Sequence, residues 1–490
     1  MSARNQRRLG EAAKRSSRPP ARPGGPGQRR AVLPKPRPTE SERAEVVIGR
    51  LDEDGLGVAR LGGHDLRVPL ALPGERVQVN LGRRGAGATY GRLERVVLSS
   101  IHRVPSPCRH LGSCVGCPLI AMAYEAQLAV KRERVREAIG RHPCLVGVAI
   151  PEVWAAPEPL GYRTTAKLSF ARTRSGVIVG MNRPGSRLVV DTSSCPVHHP
   201  LVNAVATAVR EEAARLRLEV FDPETARGLL RFLVVKVSPA RHSAMVVLVA
   251  SRRDLGTLTR LAKGLGARVP EVVSVFGSVN TSDSGMVLRR EMFRILGAPD
   301  LFDQVGDVRL RISPAAFFQV NHAQAARIYA RVREWAALTK AETALDLYCG
   351  IGPIALHLAR AAGRVLGIEI VPDAVRDARA NAEANGLANC SFRAGDAVEL
   401  LRSVGGRAER PAVAVVNPPR AGCEPPVLSA LAELGPRALL YVSCHPATLA
   451  RDLDILSGYG YRTAEVQPVD MFPQTAHVEC VARLEPARRR

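Results

Sequence analysis

The segment Ala344-Leu-Asp-Leu-Tyr-Cys-Gly-Ile-Gly-Pro-Ile-Ala355 decides the fold class, because an apolar strand runs into a glycine loop and then into a helical stretch. Strand and helix patterns alternate from there towards the C-terminus. The predicted strands include residues 343–347, 364–369, 412–416 and 438–442. This alternation predicts an α/β fold with a doubly wound parallel sheet.

Acidic side chains follow the ends of the first three strands, namely Asp346, Glu369 and Asp396. Ligands of such sheets bind outside the carboxyl ends of the strands, where Glu369 could accept both ribose hydroxyls of an adenosine and Asp396 could reach the adenine amine. A dinucleotide site would want a third glycine where Ala355 stands, whereas an acid at the end of the first strand is typical of S-adenosylmethionine sites. The pattern therefore predicts a nucleoside cofactor.

Three further side chains lie in the later strands. Asn417-Pro-Pro-Arg420 holds a polar group rigidly at a strand end, and its arginine disfavours an exocyclic amine target, which would need an aromatic residue there. Cys444 exposes a thiol at the next strand end, and Glu479 stands in a short apolar run that suits a carboxylate only if it is paired or acts as a base. This combination fits C5 methylation of a pyrimidine, because C5 of uracil becomes nucleophilic only after a thiolate adds at C6.

The Cys444 and Glu479 motifs, Phe318-Gln319-Val-Asn321 and the strand-end acids together resemble the RNA 5-methyluridine (uracil-C5) methyltransferases. The resemblance covers about residues 44–484. It implies a Rossmann-like S-adenosylmethionine-dependent methyltransferase domain, with Cys444 as nucleophile and Glu479 as proton acceptor. The cofactor-binding residues that it implies are Gln319, Tyr348, Gly350, Gly352, Glu369, Asp396 and Asn417. The chain departs from the family at Asn417, where Asp is usual, and at Pro353, where Asn is usual.

Four cysteines form a separate motif, Cys108-x5-Cys114-x2-Cys117 followed by Cys195. Four thiolates in Pro- and Gly-flanked loops suit zinc or an iron–sulfur cluster, and the spacing does not choose between them. The resemblance favours the cluster, because the ribosomal-RNA branch of the family carries a four-cysteine 4Fe-4S cluster with this arrangement. We therefore expect these four cysteines to be its ligands.

The rest of the chain divides by composition. Residues 1–40 hold eleven Lys or Arg and two Glu, which predicts a disordered basic tail over residues 1–43. Short alternating runs between Gly and Pro turns predict a small β-barrel of the oligonucleotide-binding (OB-like) type over residues 44–99, which the resemblance identifies as a TRAM domain. A mixed α+β central domain that binds the cluster and RNA is expected over 100–299, and the methyltransferase domain over 300–490.

The charge and hydropathy of the chain indicate its partners. Seventy Lys and Arg against 46 Asp and Glu give a net charge of +24, which indicates a polyanion such as a nucleic acid or an acidic membrane surface. No apolar stretch approaches the ~20 residues of a membrane-spanning helix, and no signal peptide follows the N-terminus. We therefore expect a cytoplasmic enzyme acting on RNA, without a membrane or an implied protein partner. The resemblance points first to 23S ribosomal RNA, with transfer RNA as one alternative and a catalytically impaired iron–sulfur RNA-binding protein as another.

Overall fold

The computed structural model describes residues 43–85, 88–114, 116–183, 186–282, 287–288, 291–404 and 410–487. All of these belong to one compact unit. The predicted basic tail lies outside the described residues except for Arg43. Within the described ranges three large sheets follow one another along the chain.

The first sheet lies at the N-terminal end. Its strands are β1 (Arg43–Val47), β2 (Arg50–Leu51), β3 (Gly57–Leu61), β4 (His64–Val68), β5 (Arg76–Gly85) and β6 (Ala88–Leu98). They are ordered β1-β5-β6-β4-β3-β2. Alternate apolar residues such as Val77 and Val79 point into a small core of their own, which is the burial expected of strands with one solvated face.

The second sheet occupies the middle of the chain, after helix α1 (Tyr124–Gly140). It comprises β7 (Thr165–Thr173), β8 (Gly176–Asn182), β9 (Val189–Asp191), β10 (Leu230–Ser238), β11 (Ser243–Ala250), β12 (Val272–Val279) and β13 (Met292–Gly297). The order is β13-β12-β11-β10-β7-β8-β9, with only the β11–β12 pair parallel. Helices α2 (Pro200–Arg215) and α3 (Leu255–Arg268) share an apolar core with this sheet.

A hairpin and a helix connect the second sheet to the third. They are β14 (Leu301–Val305), β15 (Val308–Ile312) and α4 (His322–Ala336). The N-cap of α4 is Asn321, whose side chain accepts a hydrogen bond from the Gln324 amide and also donates one to the Met471 carbonyl. The same side chain therefore starts the helix and ties it to a distant loop of the third sheet.

The third sheet alternates strands with helices. These elements are β16 (Thr343–Leu347), α5 (Pro353–Ala359), β17 (Arg364–Glu369), α6 (Pro372–Ala384), β18 (Cys390–Ala394), α7 (Ala397–Ser403), β19 (Val413–Val416), α8 (Pro425–Leu434), β20 (Ala438–Ser443), α9 (Pro446–Gly458), β21 (Tyr461–Val469) and β22 (Glu479–Pro486).

The strand order of the third sheet is β18-β17-β16-β19-β20-β22-β21. The first five strands are parallel, and β22 returns antiparallel to β20. The chain winds outward from β16 in one direction and then from β19 in the other, so the carboxyl ends of β16 and β19 flank a topological switch point, where such folds bind ligands. The predicted Rossmann-like α/β architecture is confirmed. None of the helices in the described ranges combines the length and apolarity needed to cross a membrane.

Candidate active site

The acidic residue of the glycine loop is fully enclosed. Asp346 is buried, and its Oδ2 accepts a 2.8 Å hydrogen bond from the Ala355 amide in α5. Burial raises the pKa of Asp346 to about 8, and the nearby charge of Glu369 acts in the same direction. The second carboxylate oxygen has no hydrogen-bond partner among the described residues. A buried acceptor of this kind is costly unless a ligand or water satisfies it.

The glycine loop itself has a left-handed backbone. The φ angles are +60° at Tyr348, +55° at Gly350 and +87° at Gly352, and the first of these is a strained conformation for a residue with a side chain. A Cβ atom at Gly350 would meet no atom within 4 Å, so the space beside that residue is open. The Gly350 amide donates a 3.1 Å hydrogen bond to Oε2 of Glu369, which joins the loop to the end of β17.

The remaining predicted cofactor residues lie around the same edge. Oδ1 of Asp396 accepts hydrogen bonds from two amides of the first turn of α7, so this carboxylate caps a helix. Asn417 is half-buried directly after β19, and Gln319 is half-buried in the segment between β15 and α4. The unpaired oxygen of Asp346, the open space at Gly350 and the strand-end carboxylates fit the sulfonium, ribose and adenine groups of S-adenosylmethionine.

The predicted nucleophile and base come from the neighbouring strands β20 and β22. Cys444 follows β20 and is half-buried, whereas Glu479 begins β22 and is 3% exposed. Burial raises the pKa of Glu479 to about 7. Burial and the charge of Glu479 raise the pKa of the Cys444 thiol, while Arg420 lowers it. The charge of Glu479 is therefore felt at the Cys444 thiol.

A cavity of about 290 Å³ opens beside the Cys444 thiol, with Arg420 and His477 in its wall. The guanidinium Nη2 of Arg420 lies 3.2 Å from Nδ1 of His477. Burial, together with the positive charge of Arg420, lowers the pKa of His477 to about 4. The imidazole is therefore neutral at pH 7 and adds no charge to the wall beside Arg420.

The loop that carries Asn417 and Arg420 is fixed from below by α9. Oδ2 of Asp452 accepts hydrogen bonds from the Cys423 amide at 2.7 Å and from the hydroxyl of Tyr441 at 2.5 Å. Arg451 donates a 2.9 Å hydrogen bond to the Ala421 carbonyl. The two bonds to Asp452 are buried and the bond from Arg451 is exposed, and together they hold the loop in place beside the cavity.

Three residues in the cavity wall come from outside the third sheet and carry no motif in the sequence. Glu53 and Asp54 belong to the turn between β2 and β3 of the first sheet, and Arg134 belongs to α1. Arg134 donates hydrogen bonds to the carbonyls of both Glu53 and Ala476. The sequence signal for His477 is its position as a polar residue two places before Glu479. Nothing in the local sequence marks Glu53, Asp54 or Arg134.

The turn that bears Glu53 and Asp54 packs directly against the loop that leads to Glu479. Gly55 has φ +83°, and a Cβ atom there would lie 3.0 Å from Cγ of Pro118 and 3.2 Å from Cβ of Ala476. Oδ1 of Asp52 accepts hydrogen bonds from the amides of Asp54 and Leu56, which closes the turn. A side chain at Gly55 would push the first sheet away from the cavity.

The four predicted metal ligands converge on a second, smaller cavity. Cys108, Cys114, Cys117 and Cys195 all line it. None of the four forms a disulfide. Burial raises the pKa of Cys117 to about 12, and the other three thiols act in the same direction. In the described residues, however, no group of three or more His, Cys, Asp or Glu side chains is placed to hold a metal ion. The donor set suits a metal or cluster, although its sulfurs are not drawn together around a single ion.

The C-terminal part of the chain, residues 303–486, matches the family model described as tRNA (uracil-5-)-methyltransferase. A Geobacter sulfurreducens protein described as an uncharacterized RNA methyltransferase is 44% identical over 90% of this chain and 89% of its own length. The chain belongs to the RNA uracil-C5 methyltransferase family. An uncharacterized RNA methyltransferase of Halalkalibacterium halodurans is 37% identical over 91% of this chain and 97% of its own length.

Among solved structures, this methyltransferase resembles the Pyrococcus abyssi tRNA (uracil-54, C5)-methyltransferase in complex with S-adenosyl-L-homocysteine. The TM-score is 0.73 and the identity is 29%, over 90% of this chain and 100% of the other. The resemblance predicted from the Cys444 and Glu479 motifs is confirmed at the level of the family, and so is S-adenosylmethionine-dependent RNA (uracil-C5) methyl transfer.

Proposed function

We propose that this methyltransferase forms 5-methyluridine in 23S ribosomal RNA through a covalent bond between Cys444 and C6 of the target uridine, with Glu479 removing the C5 proton. The observation that carries the proposal is the pairing of a half-buried thiol at a cavity with a buried carboxylate whose pKa is raised to about 7. A carboxylate with that pKa is a competent base near neutral pH and releases its proton readily afterwards.

The steps follow from these positions. The Cys444 thiolate attacks C6, so an S–C6 bond forms and the C5=C6 electron pair moves to C5 and O4. S-adenosylmethionine, when bound beside Gly350 and Asp346, supplies the methyl group that C5 takes. Glu479 then accepts the C5 proton. The electrons of the C5–H bond restore C5=C6 as the thiolate leaves, so Cys444 is regenerated.

The cavity walls assist these steps electrostatically. Burial and the charge of Glu479 raise the pKa of Cys444, and the charge of Arg420 offsets part of that rise and so favours the attacking thiolate. The attack by Cys444 is favoured when Glu479 is protonated, because a carboxylate charge would oppose the thiolate. Removal of the C5 proton requires Glu479 to be ionised. The rigid Asn417 amide at the neighbouring strand end can donate to or accept from the planar uracil or the cofactor.

The other parts of the chain supply RNA affinity in this proposal. The six-stranded sheet, residues 44–99, acts as a TRAM-type RNA-binding barrel, and the central region, residues 100–299, holds a 4Fe-4S cluster on Cys108, Cys114, Cys117 and Cys195. Their common cavity supports this assignment. The protein would act in the cytoplasm, where its substrate RNA is found.

Transfer RNA is the second candidate substrate. The Pyrococcus abyssi enzyme, which shares 29% identity and a TM-score of 0.73 with this chain, is described as acting on uracil-54 of tRNA. The target base must in either case leave its stack to reach Cys444, which costs least in a single-stranded loop. Mass-spectrometric mapping of 5-methyluridine in both RNAs from a strain lacking the gene decides between them, since only the true substrate loses the modification.

The covalent step has its own test. Glu479→Gln should add to the RNA and methylate once, then stall as an adduct that survives denaturing electrophoresis. Cys444→Ala should give neither adduct nor product, and Cys480→Ala, which alters a buried neighbouring thiol, should behave as wild type. An active Cys444→Ala variant would disprove the mechanism. An adduct on Cys423 would show that Cys423, rather than Cys444, is the nucleophile.

A further inference from the structure

A cavity of about 420 Å³ lies on the central sheet and is separate from the catalytic cavity, with which it shares no lining residue. Its volume is in the range of pockets that hold small organic ligands. Three cations line it, Lys167, Arg187 and Arg231, together with the aromatic rings of Phe221 and Phe232. Among the described residues, none of those that line it is acidic.

The floor of the cavity is a stack of planar groups. The guanidinium carbon of Arg231 lies 4.3 Å from the centre of the Phe221 ring and 5.6 Å from that of Phe232. Arg231 is 8% exposed and donates a hydrogen bond to the Asn280 carbonyl, which fixes its plane. Phe221 and Phe232 are half-buried, so part of each ring remains available to a ligand. Rings and guanidinium planes of this kind are the groups on which unpaired bases stack.

Small residues in the neighbouring strands line the cavity beside this stack. Phe232 of β10 pairs with Ser169 of β7, which in turn pairs with Gly180 of β8. A Cβ at Gly180 would lie 1.8 Å from the Val190 carbonyl oxygen, so only glycine fits there. Gly180 thus lets β9 approach β8 closely, and Ser169 and Gly180, which have small or no side chains, line the cavity beside Phe232. Lys167 and Arg187 also line the cavity and are both exposed, so they can meet a phosphate.

This cavity adjoins another that is lined in part by the segment before α4. The second cavity, of about 510 Å³, shares Lys167 and Met181 with the first. Its lining also includes Arg163, Phe317, Phe318 and Val320, and the last two flank the predicted cofactor residue Gln319. A strand of RNA whose target base occupies the catalytic cavity could therefore follow a basic path across the central sheet.

We propose that the cavity formed by Phe221, Arg231, Phe232 and Arg187 binds one unpaired nucleotide of the substrate RNA other than the target uridine. This inference rests on the proposed function, because it takes RNA as the substrate. The base stacks beside the Phe221–Arg231 pair, and its phosphate meets Arg187 or Lys167. The site adds affinity and fixes the register of the RNA, and no chemical step occurs there.

The test measures binding rather than methylation, so it can succeed or fail independently of the proposed reaction. Binding of a fluorescein-labelled ten-residue oligouridylate and of 23S ribosomal RNA is titrated against the full-length protein. Phe221→Ala should raise Kd about fivefold to 150-fold, the loss of one base-stacking contact. Phe221→Tyr, which keeps a ring, should restore most of the affinity. Arg187→Glu should lower the slope of log Kd against log salt by about 0.7 or more.

Matched controls separate this site from general effects. Phe302→Ala removes another ring that stacks on an arginine, with Arg309 at 4.5 Å, and should leave Kd unchanged. Arg260→Glu reverses an exposed charge on α3, a helix that shares the apolar core of this sheet, and should change Kd much less than Arg187→Glu. Circular dichroism of each variant checks that it is folded.

A free mononucleotide has the same base and phosphate groups as one nucleotide of RNA, so it is an alternative ligand for this cavity. Uridine monophosphate is the probe that tests it. If the RNA affinities of Phe221→Ala and Arg187→Glu equal that of the wild type, the proposal is wrong. It is also wrong if uridine monophosphate binds in a Phe221-dependent manner while both RNAs do not. Ultraviolet cross-linking of 5-iodouridine RNA should label the peptide that contains Phe221, and labelling confined to the catalytic cavity would equally overturn the inference.

Discussion

Nη2 of Arg420 lies 3.2 Å from Nδ1 of His477, and this contact determines which nitrogen of the imidazole carries the proton. A guanidinium can only donate, so Nδ1 is the acceptor and the proton of the neutral ring stands on Nε2. His477 thereby presents a hydrogen-bond donor at the catalytic cavity. The arginine is held beside Cys444, where its charge acts on the thiol.

The reactivity of Cys444 should respond in opposite directions to its two charged neighbours. Arg420→Gln removes the charge that lowers the thiol pKa, so alkylation of Cys444 by iodoacetamide should begin at higher pH. Glu479→Gln removes a charge that raises it, so alkylation should begin at lower pH. Peptide mapping by mass spectrometry follows Cys444 alone, and the exposed Cys144 serves as the internal standard. Equal profiles for both variants would show that the thiol does not sense these groups.

The stability of the enzyme should depend on pH through Glu479. Its folded pKa of about 7 exceeds the ordinary value of 4.5, so the folded state favours the protonated form. The stabilisation is complete below pH 4.5 and is lost as the pH rises through 7. Glu479→Gln imitates the protonated acid and should be more stable than the wild type at pH 8.5, by at most about 3 kcal/mol. Urea denaturation at pH 5.5 and pH 8.5 should show that this advantage shrinks in acid, whereas a constant difference would contradict it.

The iron content of the purified protein tests whether the four-cysteine cavity holds a 4Fe-4S cluster. Protein purified without oxygen should be brown and contain about four irons per chain, as a four-thiolate cluster requires. Cys117→Ser should lose most of the iron, because Cys117 is one of the four thiols that line the common cavity. Cys390→Ser changes a half-buried thiol outside that cavity and should keep the full content. Colourless protein with one zinc per chain would show that the four thiols bind a tetrahedral zinc ion instead of a cluster.

A buried ion pair should govern the stability of the loop before Glu479. Nζ of Lys131 in α1 contacts Oδ1 of Asp470 and donates a 3.0 Å hydrogen bond to the Phe472 carbonyl, and both charged side chains are fully buried. Lys131→Met leaves the carboxylate of Asp470 without its cation and should cost about 3–5 kcal/mol.

The double variant Lys131→Met/Asp470→Leu should recover part of that loss, because no buried charge remains. Arg136→Ala, which removes an exposed charge from the same helix, should cost less than about 0.5 kcal/mol. Thermal unfolding of the four proteins compares these values. A Lys131→Met variant as stable as the wild type would show that the pair contributes nothing.

Much of the third sheet was predictable because its strands are continuous apolar runs and its glycine loop is local in sequence. Cys444 and Glu479 could be assigned from chemistry, since a thiol at a strand end and an acid in an apolar run are each unusual. Their functional roles stay predictions. The sequence also predicted that Asp396 could reach an adenine, and the structure adds that Oδ1 of this residue caps α7.

The rest of the cavity could not be predicted, because it depends on contacts between distant parts of the chain. Arg134 lies more than 300 positions from Ala476, whose carbonyl it binds, and an arginine within a helix gives no sign of that partner. The stack at Phe221 and Arg231 could not be predicted either, because eight residues of loop and turn separate Phe221 from the start of the strand that carries Arg231. Tertiary packing rather than local propensity produces both features.

The hydrogen bonds of Arg134 to the carbonyls of Glu53 and Ala476 make the N-terminal sheet part of the wall of the catalytic cavity. The third sheet alone therefore cannot form a complete catalytic cavity. If the third sheet were transplanted onto another RNA-binding scaffold, it would keep its nucleophile. One side of the cavity would then be open, and water could reach the reacting base. Any exchange of targeting modules, in the laboratory or in evolution, would have to preserve the turn at Glu53 together with its arginine.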